Sequence, residues 1–113
     1  MFDDLELKRI DRTVGELSRR CSPPEHAEEV RTVYEVEGHS VTMYEERPPL
    51  DGVGEWTRGG IARFRFSRSR GEWRLYWMRQ DLRWHRYVPD DMPADLDSLV
   101  PVVEADKYGA FFG

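Results

Sequence analysis

Arg63, Arg65, Arg74 and Tyr76, with His85, Arg86 and Tyr87 further along, are the residues of this chain best equipped for chemistry. A guanidinium presents a planar fork that pairs with phosphate oxygens, and interleaved Tyr or Trp rings stack on unpaired bases. His85, set between Trp84 and Arg86, adds a second option. A histidine base beside arginines that stabilise developing negative charge suits metal-free RNA cleavage. All seven residues lie in 61–87, IARFRFSRSRGEWRLYWMRQDLRWHRY. That stretch holds eight arginines against two acids, Glu72 and Asp81, and seven of the fourteen aromatic residues. Its charge is +6 where the whole chain carries −5, which leaves −11 on the other 86 residues. The competing arrangement pairs these arginines with the chain's own surplus carboxylates, whose field also repels polyanions.

No catalytic residue follows from this pattern. A lone histidine between aromatic residues is more often a hydrogen-bonding core residue than a base. The expectation is a non-enzymatic binding or interaction module built on a basic, aromatic sheet face. The first alternative is weak binding of single-stranded nucleic acid or an anionic ligand. The second is an RNase-like enzyme using His85 with arginines. No cofactor or metal is expected. His26, His39 and His85 are isolated from one another, and Cys21 is the only cysteine, so zinc-ligand spacing and an internal disulfide are both excluded. Gly52 and Gly54 lack the lysine and following helix of a phosphate loop. A sheet this aromatic can also pair two copies through an edge or apolar patch, so a homodimer is a further expectation. No apolar run approaches 18 residues and the first ten, MFDDLELKRI, lack an apolar signal region; a cytoplasmic protein without membrane contact is expected.

The elements that must position these residues are legible. At 113 residues the chain is expected to form one domain. Leu7, Ile10, Val14, Leu17 and Cys21 recur at helical spacing, which predicts an amphipathic helix over 1–21 stopped by Pro23-Pro24. Ser22-Pro23-Pro24-Glu25 itself reads as the start of a short helical turn. Strands are predicted at 30–36, 40–46, 61–67, 73–79 and 84–88, so the sheet occupies 30–88. In the third, Ala62, Phe64 and Phe66 share one face and Arg63 and Arg65 the other; in the fourth, Trp73, Leu75 and Trp77 oppose Arg74 and Tyr76. Phe64, Phe66, Leu75 and Trp77 are therefore expected to be buried against Leu7, Ile10, Val14 and Leu17. The basic face collects Arg63, Arg65, Arg74 and Tyr76, extended by His85 and Tyr87. Glu46 and Arg47 read as an ion pair ending a strand. Asp95 caps a last helix within 95–113, kinked or split by Pro101 and closed at Gly109, before a docked Ala110-Phe111-Phe112. The fold class is α+β: an antiparallel meander of about five strands flanked by an N-terminal and a C-terminal helix.

Several of these pieces occur together in a known order: Glu46-Arg47-Pro48, Ile61-Ala62 with Phe64-Arg65, Trp73-x-Leu75-Tyr76-Trp77, Trp84-His85-Arg86-Tyr87, Asp106-x-Tyr108-Gly109 and Phe112-Gly113. The chain thereby resembles a family of small bacterial proteins known as domain of unknown function 3024. The resemblance implies a bacterial source and a small stand-alone domain. It carries over no activity and no catalytic residue.

Overall fold

The computed structural model describes residues 1–22, 25, 28–88 and 92–112. Among them a helical arm, a five-stranded antiparallel sheet and a C-terminal helix follow in that order. The arm comprises α1 (Asp4–Ile10), a π-helical turn (Asp11–Gly15) and α2 (Glu16–Arg20). Asp3 caps it: its side chain accepts from the Glu6 amide at 2.8 Å while Glu6 accepts from the Asp3 amide at 3.0 Å. The strands are β1 (Arg31–Glu37), β2 (Ser40–Arg47), β3 (Thr57–Ser67), β4 (Glu72–Met78) and β5 (Trp84–Arg86), side by side in chain order. The last helix is α3 (Leu96–Ala105). None of the described helices is long and apolar enough to cross a membrane.

One face of the sheet meets the helices. Val41, Met43, Ala62, Phe64 and Leu75 are buried there with Ile10, Val14 and Leu17 from the arm and Leu99 and Val103 from α3. The predicted stripe holds at its centre and fails at its start. Leu7 is exposed, and the residue buried near the start of the arm is Phe2, which stacks on Trp73 with ring centroids 5.4 Å apart. The arm is also not one straight α-helix. In the π-turn the Asp11 carboxylate accepts from the Tyr34 hydroxyl at 2.7 Å and from Arg19 at 3.0 Å. A Cβ on Gly15 would lie 2.7 Å from that carboxylate, so only glycine leaves it room. Phe66 and Trp77, expected to be buried, are half-buried near the sheet margins.

Register fixes the faces. Phe64 pairs with Leu75, Phe66 with Trp73 and Ala62 with Trp77. Between β2 and β3 a bulge lets Met43 pair with Ala62 and Tyr44 with Gly60, leaving Ile61 over. β3 consequently starts four residues earlier than predicted, running through Gly59 and Gly60. Gly60 is a matter of space: a Cβ there would fall 2.7 Å from the Trp84 ring and 2.9 Å from Met78.

Other expectations are corrected. α3 is capped by Asp95 as predicted, yet it runs unbroken through the exposed Pro101. It ends at Asp106 in the left-handed conformation (φ 45°) rather than at Gly109. The Asp106 carboxylate explains the exchange, since it accepts from the amides of Phe111 and Phe112 and folds the tail back. Phe111 is thus buried against Tyr87 while Phe112 stays exposed. Glu46 and Arg47 do not pair. Glu46 receives Arg31 and Arg58, and Arg47 turns to Glu45 at 2.6 Å. The turn expected at Ser22-Pro23-Pro24-Glu25, and His26, lie largely outside the described residues.

Candidate functional site

Residues directly opposite on antiparallel strands share a face. The face away from the core therefore carries Arg31, Val33, Glu35 and Glu37 on β1; Ser40, Thr42, Tyr44 and Glu46 on β2; and Arg58, Gly60, Arg63 and Arg65 on β3. It continues with Arg74, Tyr76 and Met78 on β4, and Trp84 and Arg86 on β5. No described helix packs on this side, and the core cluster draws nothing from it.

The face has two ends. At one, Glu46 sits between two arginines: Arg31 donates to it at 2.8 Å and Arg58 at 2.9 Å, and Arg58 also reaches Glu35 at 2.9 Å. Each guanidinium lies over a ring as well, Arg31 over Trp56 at 4.1 Å and Arg58 over Tyr44 at 4.5 Å. Hydrogen bonds from Arg58 and Arg31 hold the Glu46 carboxyl below its ordinary range, and hydrogen bonds to Glu46 and Glu35 raise Arg58. This end is internally neutralised.

The other end is not. Arg63 donates from Nε to the Thr42 hydroxyl at 3.0 Å and lies over the Trp84 ring at 4.8 Å, with no carboxylate partner among the described residues. Arg65 and Arg74 face each other across β3 and β4, a like-charge pair that disfavours the bare sheet. Arg65 and Arg86 are exposed and have no carboxylate partner among the described residues. Arg74 gives one nitrogen to Glu72 at 3.3 Å, while its Nε is buried with no hydrogen-bond partner among the described residues. A buried N–H left unpaired is unfavourable enough to require an explanation. Tyr76, flanked by Arg63 and Arg86, presents a half-buried ring.

Among the described residues, pairing with the chain's own acids thus accounts for only a small part of the basic segment. Of its eight arginines, Arg70 and Arg74 reach a carboxylate, the same Glu72. Arg68 is taken up by His39 and the Met1 carbonyl, and Arg79 lies over Trp77. The acidic remainder serves other arginines: Arg9 with Asp97, Arg19 with Asp11, Arg20 with Glu104.

Of the seven residues singled out from sequence, the structure brings together Arg63, Arg65, Arg74, Tyr76 and Arg86. His85 and Tyr87 fall on the opposite side. His85 is paired with Trp77, whose neighbours face the core, and Tyr87 is buried against Phe111. The His85 ring bonds the Asp81 carboxylate at 2.8 Å, and this contact, with the Arg83 amide, holds Asp81 below its ordinary range. Sequence reasoning missed Trp84, Thr42 and Gly60 as parts of the face. The alternation within 84–87 could have placed Trp84 with Arg86, but only pairing to β4 decides which pair faces out. No three His, Cys, Asp or Glu side chains cluster as metal ligands among the described residues.

Fold and face together define a small α+β domain whose antiparallel sheet is covered on one side and arginine-rich on the other. The family model described as domain of unknown function (DUF3024) matches residues 2–113, and the chain belongs to that family. No curated protein and no solved structure matches it.

Proposed function

We propose that this domain is a binding module and that the basic end of its open face takes single-stranded nucleic acid. One observation carries the reading: Arg65 and Arg74 stand opposite each other, with Arg63 and Arg86 beside them, and Glu72 at the margin is the single carboxylate that reaches any of the four among the described residues. A like-charge cluster on an uncovered sheet is relieved when a polyanion supplies the missing charge. The aromatic content separates a nucleic acid from a merely acidic peptide. Tyr76, and the Arg63 guanidinium held over Trp84, offer surfaces of the kind on which unpaired bases stack. The overall charge of −5 makes such binding weak, and each phosphate contact makes it salt-dependent through counterion release.

The test is a fluorescence titration with a mixed-sequence single-stranded oligonucleotide at low and moderate salt. Binding should quench Trp84 and weaken as salt rises. No detectable binding at low salt, where the electrostatic contribution is strongest, overturns the reading.

A further inference from the structure

A notch in the sheet edge adjoins the basic end of the face. β5 is only three residues long and leaves the first half of β4 without a strand partner on that side. The chain returns as residues 92–94, and the Ala94 carbonyl accepts from the Trp73 amide at 2.7 Å. Between this contact and the one from the Tyr87 amide to the Leu75 carbonyl lies Arg74. A cavity of about 50 Å³ opens there, lined by Arg74, Arg86 and Glu72, with Met92 and Pro93 as an apolar wall. Arg74 lines this space, its Nε without a partner among the described residues, and the exposed Arg86 contributes a second guanidinium.

Size and chemistry select the occupant. A water needs roughly 10–15 Å³ by this kind of measure. The cavity therefore admits a few waters or one tetrahedral oxyanion. It is far below the roughly 300 Å³ at which pockets for whole small-molecule ligands begin, so a nucleotide does not fit. Two guanidinium groups at one notch match a dianionic phosphomonoester better than a singly charged diester. Glu72 opposes this by holding one nitrogen of Arg74 at 3.3 Å.

We infer that the notch between β4, β5 and residues 92–94 is a phosphomonoester subsite. On the reading above, from which its natural ligand follows, it holds the terminal phosphate of a bound single strand, so the domain recognises strand ends.

The experiment compares one oligonucleotide bearing a 5′-phosphate, a 3′-phosphate or neither, together with inorganic phosphate alone. Titrations use wild type, R86A and E72Q. One terminal phosphate should tighten binding about tenfold, the size of one charge-assisted hydrogen bond. R86A should abolish that gain without unfolding the protein, since Arg86 is exposed. E72Q should enlarge it by freeing Arg74. If the unphosphorylated strand binds and neither terminal phosphate adds affinity, the subsite is refuted and the platform stands. If no strand binds but inorganic phosphate does, through Arg86, the platform falls and the subsite stands for a small phosphate ligand. A gain that survives R86A, or an E72Q protein no tighter than wild type, contradicts the assigned geometry.

Discussion

The two ends of the open face are built from the same residue type and meet on β3, and they differ in what the arginines meet. Arg58 and Arg63 are five residues apart on β3. Arg58 reaches two carboxylates at 2.9 Å, and Arg63 meets a hydroxyl and an indole. Both lie over an aromatic ring, so stacking does not distinguish them. The acids do. Glu46 sits directly across from Arg58, which also reaches over to Glu35 on β1, while the positions directly across from Arg63 and Arg65 are Thr42 and Ser40 on β2 and Tyr76 and Arg74 on β4. The arginines at the first end are matched by carboxylates; at the second, Glu72 alone reaches one of the four among the described residues.

The largest expected effect strikes beneath both ends. Phe64 is fully buried under the centre of the sheet. F64A should cost about 3–5 kcal/mol, the usual range for a core aromatic, measured by denaturant unfolding. It should erase the contrast by removing the platform. A loss below about 1 kcal/mol would mean that the sheet does not rest on this contact.

A second prediction separates the ends directly. R65A/R74A should weaken oligonucleotide binding at least about tenfold, since contacts to charged groups contribute about 1.5–3 kcal/mol each. It should leave thermal stability the same or higher, because a like-charge pair is removed. A large drop in melting temperature would place these arginines among the structural ones.

The third concerns the seam between the ends. G60A inserts a Cβ 2.7 Å from Trp84 and must displace the ring and the Met78 side chain. Overpacking of this kind costs about 1–3 kcal/mol, at the low end where side-chain termini can move. Trp84 emission should shift and the Arg63 stack should loosen. An unchanged spectrum would show that Trp84 does not lie over Gly60.

The smallest effect belongs to the neutralised end. Glu46 is held below its ordinary value of 4.5 by Arg58 and Arg31. A depressed carboxylate stabilises the fold fully above the unfolded value and loses that contribution as pH falls through the lower folded one. E46Q should therefore be less stable than wild type by a constant amount above about pH 4.5. The gap should close below it, as followed by urea unfolding across pH. A gap that widens on acidification would reverse the assignment.

The two faces of β3 and β4 were readable in the residues, because alternation decides faces. Phe64 and Leu75 inward, Arg63, Arg65, Arg74 and Tyr76 outward, follow from period two alone. What alternation could not provide was pairing between distant segments. Gly59-Gly60 reads as a break, yet Gly60 is where Trp84 lies, a contact across 24 residues. His85 and Tyr87 read as extensions of the basic face until β5 takes its register from Tyr76 and Trp77. Leu7 belongs to the helical stripe by spacing and is exposed, while Phe2, outside the stripe, is buried on Trp73. The destination of the acids was equally hidden: Asp11, Asp97 and Glu104 serve arginines on the helical arm.

The account rests most heavily on the two ends having different roles, and salt dependence tests this most directly. Oligonucleotide affinity would be measured across a salt series for wild type, R65A/R74A and R31A/R58A. On single strands each phosphate contact releases about 0.7 counterion. The slope of R65A/R74A should be shallower than wild type by about 1.4 if each arginine meets one phosphate. R31A/R58A should keep the wild-type slope while losing about 1 kcal/mol of stability, the upper range for surface ion pairs. Equal slopes for all three proteins, or a shallower slope for R31A/R58A alone, would contradict it.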